Sequence, residues 1–154
     1  MIGYSIVNYI DCNREQQLEI LNLRNLDDVR KWMVNPEIIQ EDNHFKFVES
    51  LKRNPNRLYY AVYKDGFLVG TYNLTKGENG VWERGIIANP TTQGKGETIK
   101  WEQQILADLP KQGINAVTAK VKLDNPRSIK YHEKLGYQEY LRDNEYIYYI
   151  LILQ

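Results

Sequence analysis

Residues 88–98 read ANPTTQGKGET, a strand end that runs into a glycine-containing turn and then straight into a helix. A helix start leaves backbone N–H groups unpaired and carries partial positive charge. Glycine lets an anion come close to those amides. The segment is therefore a candidate cradle for a pyrophosphate; an ordinary turn ahead of a helix is the other reading of the same residues. A second dense stretch, residues 123–137, reads LDNPRSIKYHEKLGY. It sets Asn125 as a helix N-cap, Pro126 at the first helical position and Gly136 as the C-cap. Tyrosine is abundant, with twelve in the chain. Tyrosine packs half-buried strands well, and it also stacks on sugar or nucleotide rings in a cleft.

These residues need a frame, and the pattern along the chain predicts one. Residues 4–10 are apolar and β-prone, a strand. Helices are expected over 14–24, 26–34 and 42–53, the last two stopped by Asn35-Pro36 and Asn54-Pro55. Strands at 58–64 and 67–75 are joined at Asp65-Gly66, a hairpin signal, and a further strand covers 81–88. A helix over 97–109, a strand over 116–121, the helix opened by Asn125-Pro126, and strands at 137–141 and 146–153 complete the order. The layout is α+β: a mixed, mostly antiparallel sheet with helices on both faces. The connection from 81–88 through the 97–109 helix to 116–121 is the candidate parallel crossover.

The 154 residues fit one domain, 1–154, and the 42% apolar content can fill a core. Twenty basic and twenty acidic side chains balance to zero formal charge, which argues against a nucleic-acid binder. One cysteine, Cys12, excludes an intrachain disulfide or a multi-cysteine metal site, and no metal is expected. The start of the sequence does not read as a signal peptide, and no apolar stretch is long enough to span a membrane. A cytoplasmic protein with no membrane partner is the expectation. Residues 146–153 are apolar enough to pair with a second subunit as a homodimer.

Together, the two dense segments resemble the signature of the GNAT N-acetyltransferases, Q/R-x-x-G-x-G/A followed by N-x-x-S-x-x-L-Y-E-K-x-G-F. Gln93 and Gly96 match the first part, with Gly94 between them; Thr98 stands where the family prefers Gly or Ala. Asn125, Ser128, Glu133, Lys134 and Gly136 match the second, and Tyr137 replaces its Phe. Tyr131-His132 departs from the Leu-Tyr pair. In the N-terminal half, Leu23-Arg24-Asn25, Trp32-Met33, His44, Phe47, Asn54-Pro55-Asn56 and Tyr59-Tyr60 resemble the branch that acetylates a nucleotide-linked amino sugar in pseudaminic acid biosynthesis. The run Gly96-Glu97-Thr98-Ile99 also looks like that branch. The ribosomal-protein N-acetyltransferases are a neighbouring branch.

The resemblance implies a GNAT acyl-CoA N-acyltransferase fold, acetyl-CoA as cofactor and a small-molecule primary amine, in the nearest branch part of a nucleotide-sugar, as acceptor. It places the pyrophosphate on Gln93, Gly94, Lys95, Gly96, Glu97 and Thr98, with Asn125 and Ser128 in support, and the pantetheine arm along Ile86, Ile87 and Ala88. The amine is mostly protonated at neutral pH, so a base must take its proton; Glu83 is the candidate, with an ordinary strand ion pair as the competing role. His132 stands where many family members carry a tyrosine that protonates the leaving thiolate, and is the candidate acid; a packing role is its alternative. Arg24, Asn25, Trp32 and His44 would form the acceptor side, while Phe47 reads as packing. A protein N-terminus or a polyamine is the alternative acceptor, and a non-catalytic acyl-CoA-binding module the alternative function.

Overall fold

The computed structural model describes residues 3–92 and 94–154. The elements are β1 (Ser5–Asn8), α1 (Arg14–Asn25), α2 (Asp27–Arg30), α3 (Glu41–Leu51), β2 (Arg57–Lys64), β3 (Phe67–Lys76), β4 (Trp82–Ala88), α4 (Glu97–Asp108), β5 (Ala116–Lys122), α5 (Pro126–Leu135), β6 (Gln138–Arg142) and β7 (Tyr146–Ile152). Local chemistry explains most of the boundaries. Asn13 opens α1 with a capping box: its side chain accepts from the Gln16 amide at 2.8 Å, and the Gln16 side chain accepts from the Asn13 amide at 2.9 Å. Asn125 accepts from the Ser128 amide, Pro126 follows it, and Gly136 closes α5, as the sequence predicts. The expected helix over 26–34 is the exception. Only one turn forms, because the Trp32 and Met33 amides bond three residues back, to Val29 and Arg30, and the helix tightens and ends.

One seven-stranded sheet runs in the order β1-β2-β3-β4-β5-β7-β6. Every pairing is antiparallel except β4 with β5, which is the expected crossover around α4. On one face, Val62, Tyr72, Leu74, Val117, Ala119, Val121, Ile147 and Tyr149 pack beneath Trp101, Ile105 and Leu106 of α4. Those three helical positions fall on one stripe at helical spacing. On the other face, Ile20, Leu23, Val29, Val48 and Leu51 from α1, α2 and α3 cover Ala61, Tyr63 and Leu68. β7 lies between β5 and β6 with both edges paired. Its backbone is thus not available to a second subunit, contrary to the sequence expectation for 146–153, and β6 forms that border of the sheet instead. Among the described residues no helix is long and apolar enough to cross a membrane.

Candidate active site

β4 pairs with β3 along its whole length, from Lys76 opposite Trp82 to Gly70 opposite Ala88. With β5 it shares only two register pairs, Trp82 with Val117 and Glu83 with Thr118. Past Glu83 the two strands part. The five residues from Arg84 to Ala88 therefore present an edge without a ladder partner, roughly 16 Å long at the usual strand rise. Backbone groups on such an edge need partners, and a ligand can supply them. The wedge is closed at Glu83 and opens toward the loop that leads into α4.

That loop is built around the open end. Asn89 anchors it by donating to the Leu68 carbonyl at 2.9 Å and accepting from Thr91. Gly94 and Gly96 have φ of 80° and 72°, a left-handed backbone that favours glycine. Gly96 is the N-cap of α4, and no side chain caps the helix there. The first α4 amides are thus open to an anion. Lys95 is exposed beside them. The Glu97 carboxylate turns away, to Lys64 at 2.8 Å and to the Tyr4 hydroxyl, and both hydrogen bonds hold its pKa low. Across the mouth, an Arg127 Nη atom lies 3.3 Å from where a Cβ on Gly94 would stand. Gln93, expected in this cradle, lies outside the described residues. Asn125 spends its side-chain oxygen on capping α5, at 3.2 Å from the Ser128 amide.

Strand alternation sends neighbouring β4 side chains to opposite faces of the wedge. Ile86 packs with the α4 face and Ile87 with the α1–α3 face, so Glu83 and Gly85 share the side of α1 and α3. A Cβ on Gly85 would lie 2.2 Å from the Asn73 side-chain oxygen, so Gly85 is required for Asn73 to lie across the strand. Tyr59 pairs in register with Asn73, and its ring packs edge-on to Phe47 at 4.9 Å and beside Tyr9 at 5.3 Å. The Glu83 side chain is exposed and makes no ion pair or hydrogen bond among the described residues. A free carboxylate thus stands at the closed end of the wedge, where an amine could approach.

The opposite face holds a buried charge network. Arg84 donates from Nε and Nη2 to Glu102 of α4 at 2.7 and 2.5 Å. Tyr131 donates to the same carboxylate at 2.8 Å. Opposed by burial, the Arg84 charge still holds the Glu102 pKa below its usual range. The remaining Arg84 nitrogen, Nη1, lies 2.7 Å from His132 Nε2, and His132 Nδ1 lies 2.7 Å from the Ser128 carbonyl. A carbonyl only accepts, so Nδ1 carries the proton and Nε2 accepts from Arg84. Burial, aided by the Arg84 charge, pushes the His132 pKa down to about 4. At neutral pH His132 is uncharged and its one N–H is occupied, an arrangement that points away from the acid role expected from the sequence.

On the acceptor side the expected residues separate. Asn25 grips the main chain of Ile39 at both ends, 2.9 Å each way. Arg24 donates from Nη2 to the Asn35 carbonyl at 2.6 Å, and Arg30 holds the Pro36 carbonyl at 2.8 Å. Together they brace the loop that carries Trp32, which is 40% exposed, and Ile38. Nη1 of Arg24 is buried without a hydrogen-bond partner among the described residues. Burial, and then the Arg30 charge, lower its pKa. His44 is buried, its Nε2 also lacks a partner, and burial lowers its pKa. Among the described residues, no hydrogen bond or ion pair joins any of the four to Glu83, Gly85 or Asn73. Sequence reasoning missed Asn73, Arg84, Glu102 and Arg127. A mid-strand glycine at 85 signals a close approach, and an arginine at an inward strand position demands a buried acid.

Residues 12–138 match the family described as "Acetyltransferase (GNAT) domain". Over 147 residues the chain is 24% identical to the acetyltransferase PseH of Campylobacter jejuni, spanning 96% of this chain and 92% of that protein. The structure of C. jejuni N-acetyltransferase PseH in complex with acetyl coenzyme A superposes with a TM-score of 0.76 at 18% identity, covering 97% of this chain and 99% of that one. The spermidine N-acetyltransferase from Vibrio cholerae in complex with CoA and spermine gives a TM-score of 0.84 at 16% identity, over 97% and 95% of the two chains. With the family matched over most of its length, the chain belongs to the GNAT acetyltransferases and is an acetyl-CoA-dependent N-acetyltransferase.

Proposed function

We propose that the chain acetylates a primary amine on a nucleotide-linked amino sugar, by direct attack in a ternary complex. The observation that carries this reading is Arg24: a partly buried guanidinium whose Nη1 has no partner among the described residues and whose Nη2 holds the loop that carries the exposed Trp32. A cation held this way suits the diphosphate of a nucleotide-sugar, and a flat apolar ring suits its base. A polyamine would call for carboxylates at that place. The likeness to PseH over nearly the whole chain points the same way.

The residues present fit a pyrophosphate-bearing thioester. An uncapped helix start with two left-handed glycines stands at the open end of the wedge, and Arg127 faces it. When bound, acetyl-CoA supplies the activated acetyl group. The α4 amides near Gly94, Lys95, Gly96, Glu97 and Thr98 would bind its phosphates, with Arg127 adding charge. The free edge at Ile86, Ile87 and Ala88 would hold the arm by main-chain hydrogen bonds and polarise the acyl carbonyl. Glu83 would take the proton of the amine, directly or through water.

A panel of acceptors tests the assignment: nucleotide-linked amino sugars, free amino sugars, spermidine and peptides, each scored by CoA release. The nucleotide-linked sugars should give the highest kcat/KM. Arg24→Met should raise KM for them by about tenfold, the worth of about 1.4 kcal/mol, and leave a free amino sugar unaffected. Equal turnover of spermidine or peptide would overturn the acceptor reading. For the cradle, Thr98→Glu puts a carboxylate at a helix start, which the helix dipole tolerates but a phosphate does not. The fold should be unharmed and CoA binding weakened by about tenfold or more; unchanged binding would refute the placement of the phosphates.

A further inference from the structure

The closed end of the wedge carries a charge that the transfer described so far does not use. Arg84 is the first β4 residue past the last β4–β5 pair, and its side chain is 2% exposed. Among the described residues, carboxylate, imidazole and tyrosine groups surround it. Glu102 comes from α4 and takes the bidentate edge of the guanidinium. From α5, His132 accepts from the remaining nitrogen, and Tyr131 bonds to Glu102 rather than to the arginine. The rings of Tyr137 and Tyr72 lie 5.2 and 5.8 Å from the guanidinium carbon. The carboxylate occupies one edge only, so the pair forms a dipole whose positive end points to His132, the α5 residue that stands in place of the family's tyrosine. Arg84 and His132 have no proton to give at neutral pH: an arginine does not deprotonate, and the His132 N–H is taken by the Ser128 carbonyl, while the Tyr131 and Tyr137 hydroxyls donate to Glu102.

We propose that Arg84 stabilises the departing sulfur of CoA as a thiolate: pinned between Glu102 and His132, it holds the positive end of a buried ion pair beneath the closed end of the wedge. This rests on the reading of the wedge as the channel for the pantetheine arm. In the transfer, the bond from the amine nitrogen to the acyl carbon forms and the carbon–sulfur bond breaks, its electron pair going to sulfur. The amine proton passes to Glu83 or to water. The sulfur leaves as an anion and collects its proton from solvent on release. Arg84 acts through the field and through the His132 ring it orients, so it is a positioning and charge-stabilising residue. A thiolate is stabilised by a nearby fixed cation whatever the acceptor amine.

The test is the acidity of the thiol in the binary complex with CoA, followed by thiolate ultraviolet absorbance as pH is raised. In the wild type the bound thiol should titrate about one pH unit below free CoA, a tenfold shift toward thiolate. Arg84→Met/Glu102→Leu removes both charges and leaves apolar groups of similar size, a replacement that buried ion pairs tolerate. In that variant the bound thiol should return to the free value and kcat should fall by about tenfold, with Tm and the Kd for CoA unchanged. Arg84→Lys, which keeps the charge, should restore part of both. A wild-type bound thiol that titrates like free CoA overturns the proposal even where the double variant fails to fold, and so does a folded double variant with wild-type kcat. Thr98→Glu separates the two layers. CoA binding insensitive to it removes the channel reading, whereas sensitive binding with an ordinary thiol removes only the role of Arg84.

Discussion

The buried state of His132 has a thermodynamic signature. The ring is 3% exposed, stacks on Tyr149 at 5.5 Å, and is held at both nitrogens. Its pKa in the fold is about 4, lowered first by burial and then by the Arg84 charge; in the unfolded chain it is about 6.5. Between those values the unfolded chain binds a proton that the folded chain refuses. Stability is therefore full above about pH 6.5 and falls as pH drops toward about 4, by about 3 kcal/mol in all and about 1.4 kcal/mol per pH unit at the steepest. The perturbation is His132→Gln, whose amide oxygen can accept from Arg84 and whose side chain does not titrate. Urea unfolding of both proteins from about pH 7 down to about pH 4.5 should show the wild type losing stability faster. Glu102 and His44 are common to both proteins, so the difference between the curves isolates the ring. Parallel curves would mean that His132 is charged, or exposed, in the fold. The same reasoning constrains catalysis. A neutral histidine without a free N–H donates no proton, so kcat of His132→Gln should follow the wild-type pH profile across neutrality; loss of a limb of that profile would refute the argument.

Two further substitutions probe the opposite face. Glu83→Gln keeps the shape of the side chain and removes the base. It should lower kcat by about 10²–10⁴ with little change in KM for acetyl-CoA; a variant with wild-type kcat would assign the base elsewhere. Gly85→Ala places a Cβ against the Asn73 amide and should destabilise by about 1–3 kcal/mol. Adding Asn73→Gly should return most of that loss in a thermal melt, and a double variant no better than Gly85→Ala would show that the contact is not the source.

Much of the frame is legible in the linear chain because its causes are local. The α1 and α5 starts follow from side chains that cap amides three residues away, at Asn13 and Asn125. The hairpin at Asp65-Gly66 follows from turn chemistry, and the inward placing of Ile105 and Leu106 on α4 from helical spacing. The expected helix over 26–34 stops at Arg30 because a propensity does not reveal that Arg24, Asn25 and Arg30 will brace the following loop from behind. That β7 is an interior strand is not legible, because apolar content does not say which strand lies at an edge.

What the sequence by itself determined is the order of elements, the glycine-rich helix start and the family signature. Each is written in residues close together along the chain, where sterics and capping act directly. Only the tertiary structure decided how the strands part after Glu83, that Glu83 and Arg84 face opposite sides of the wedge, and that His132 accepts from Arg84. Those outcomes depend on partners far apart in sequence: Arg84 meets Glu102 eighteen positions on and His132 forty-eight positions on. A buried charge takes its behaviour from whatever the fold sets against it, and that choice is made by packing rather than by neighbours in the chain.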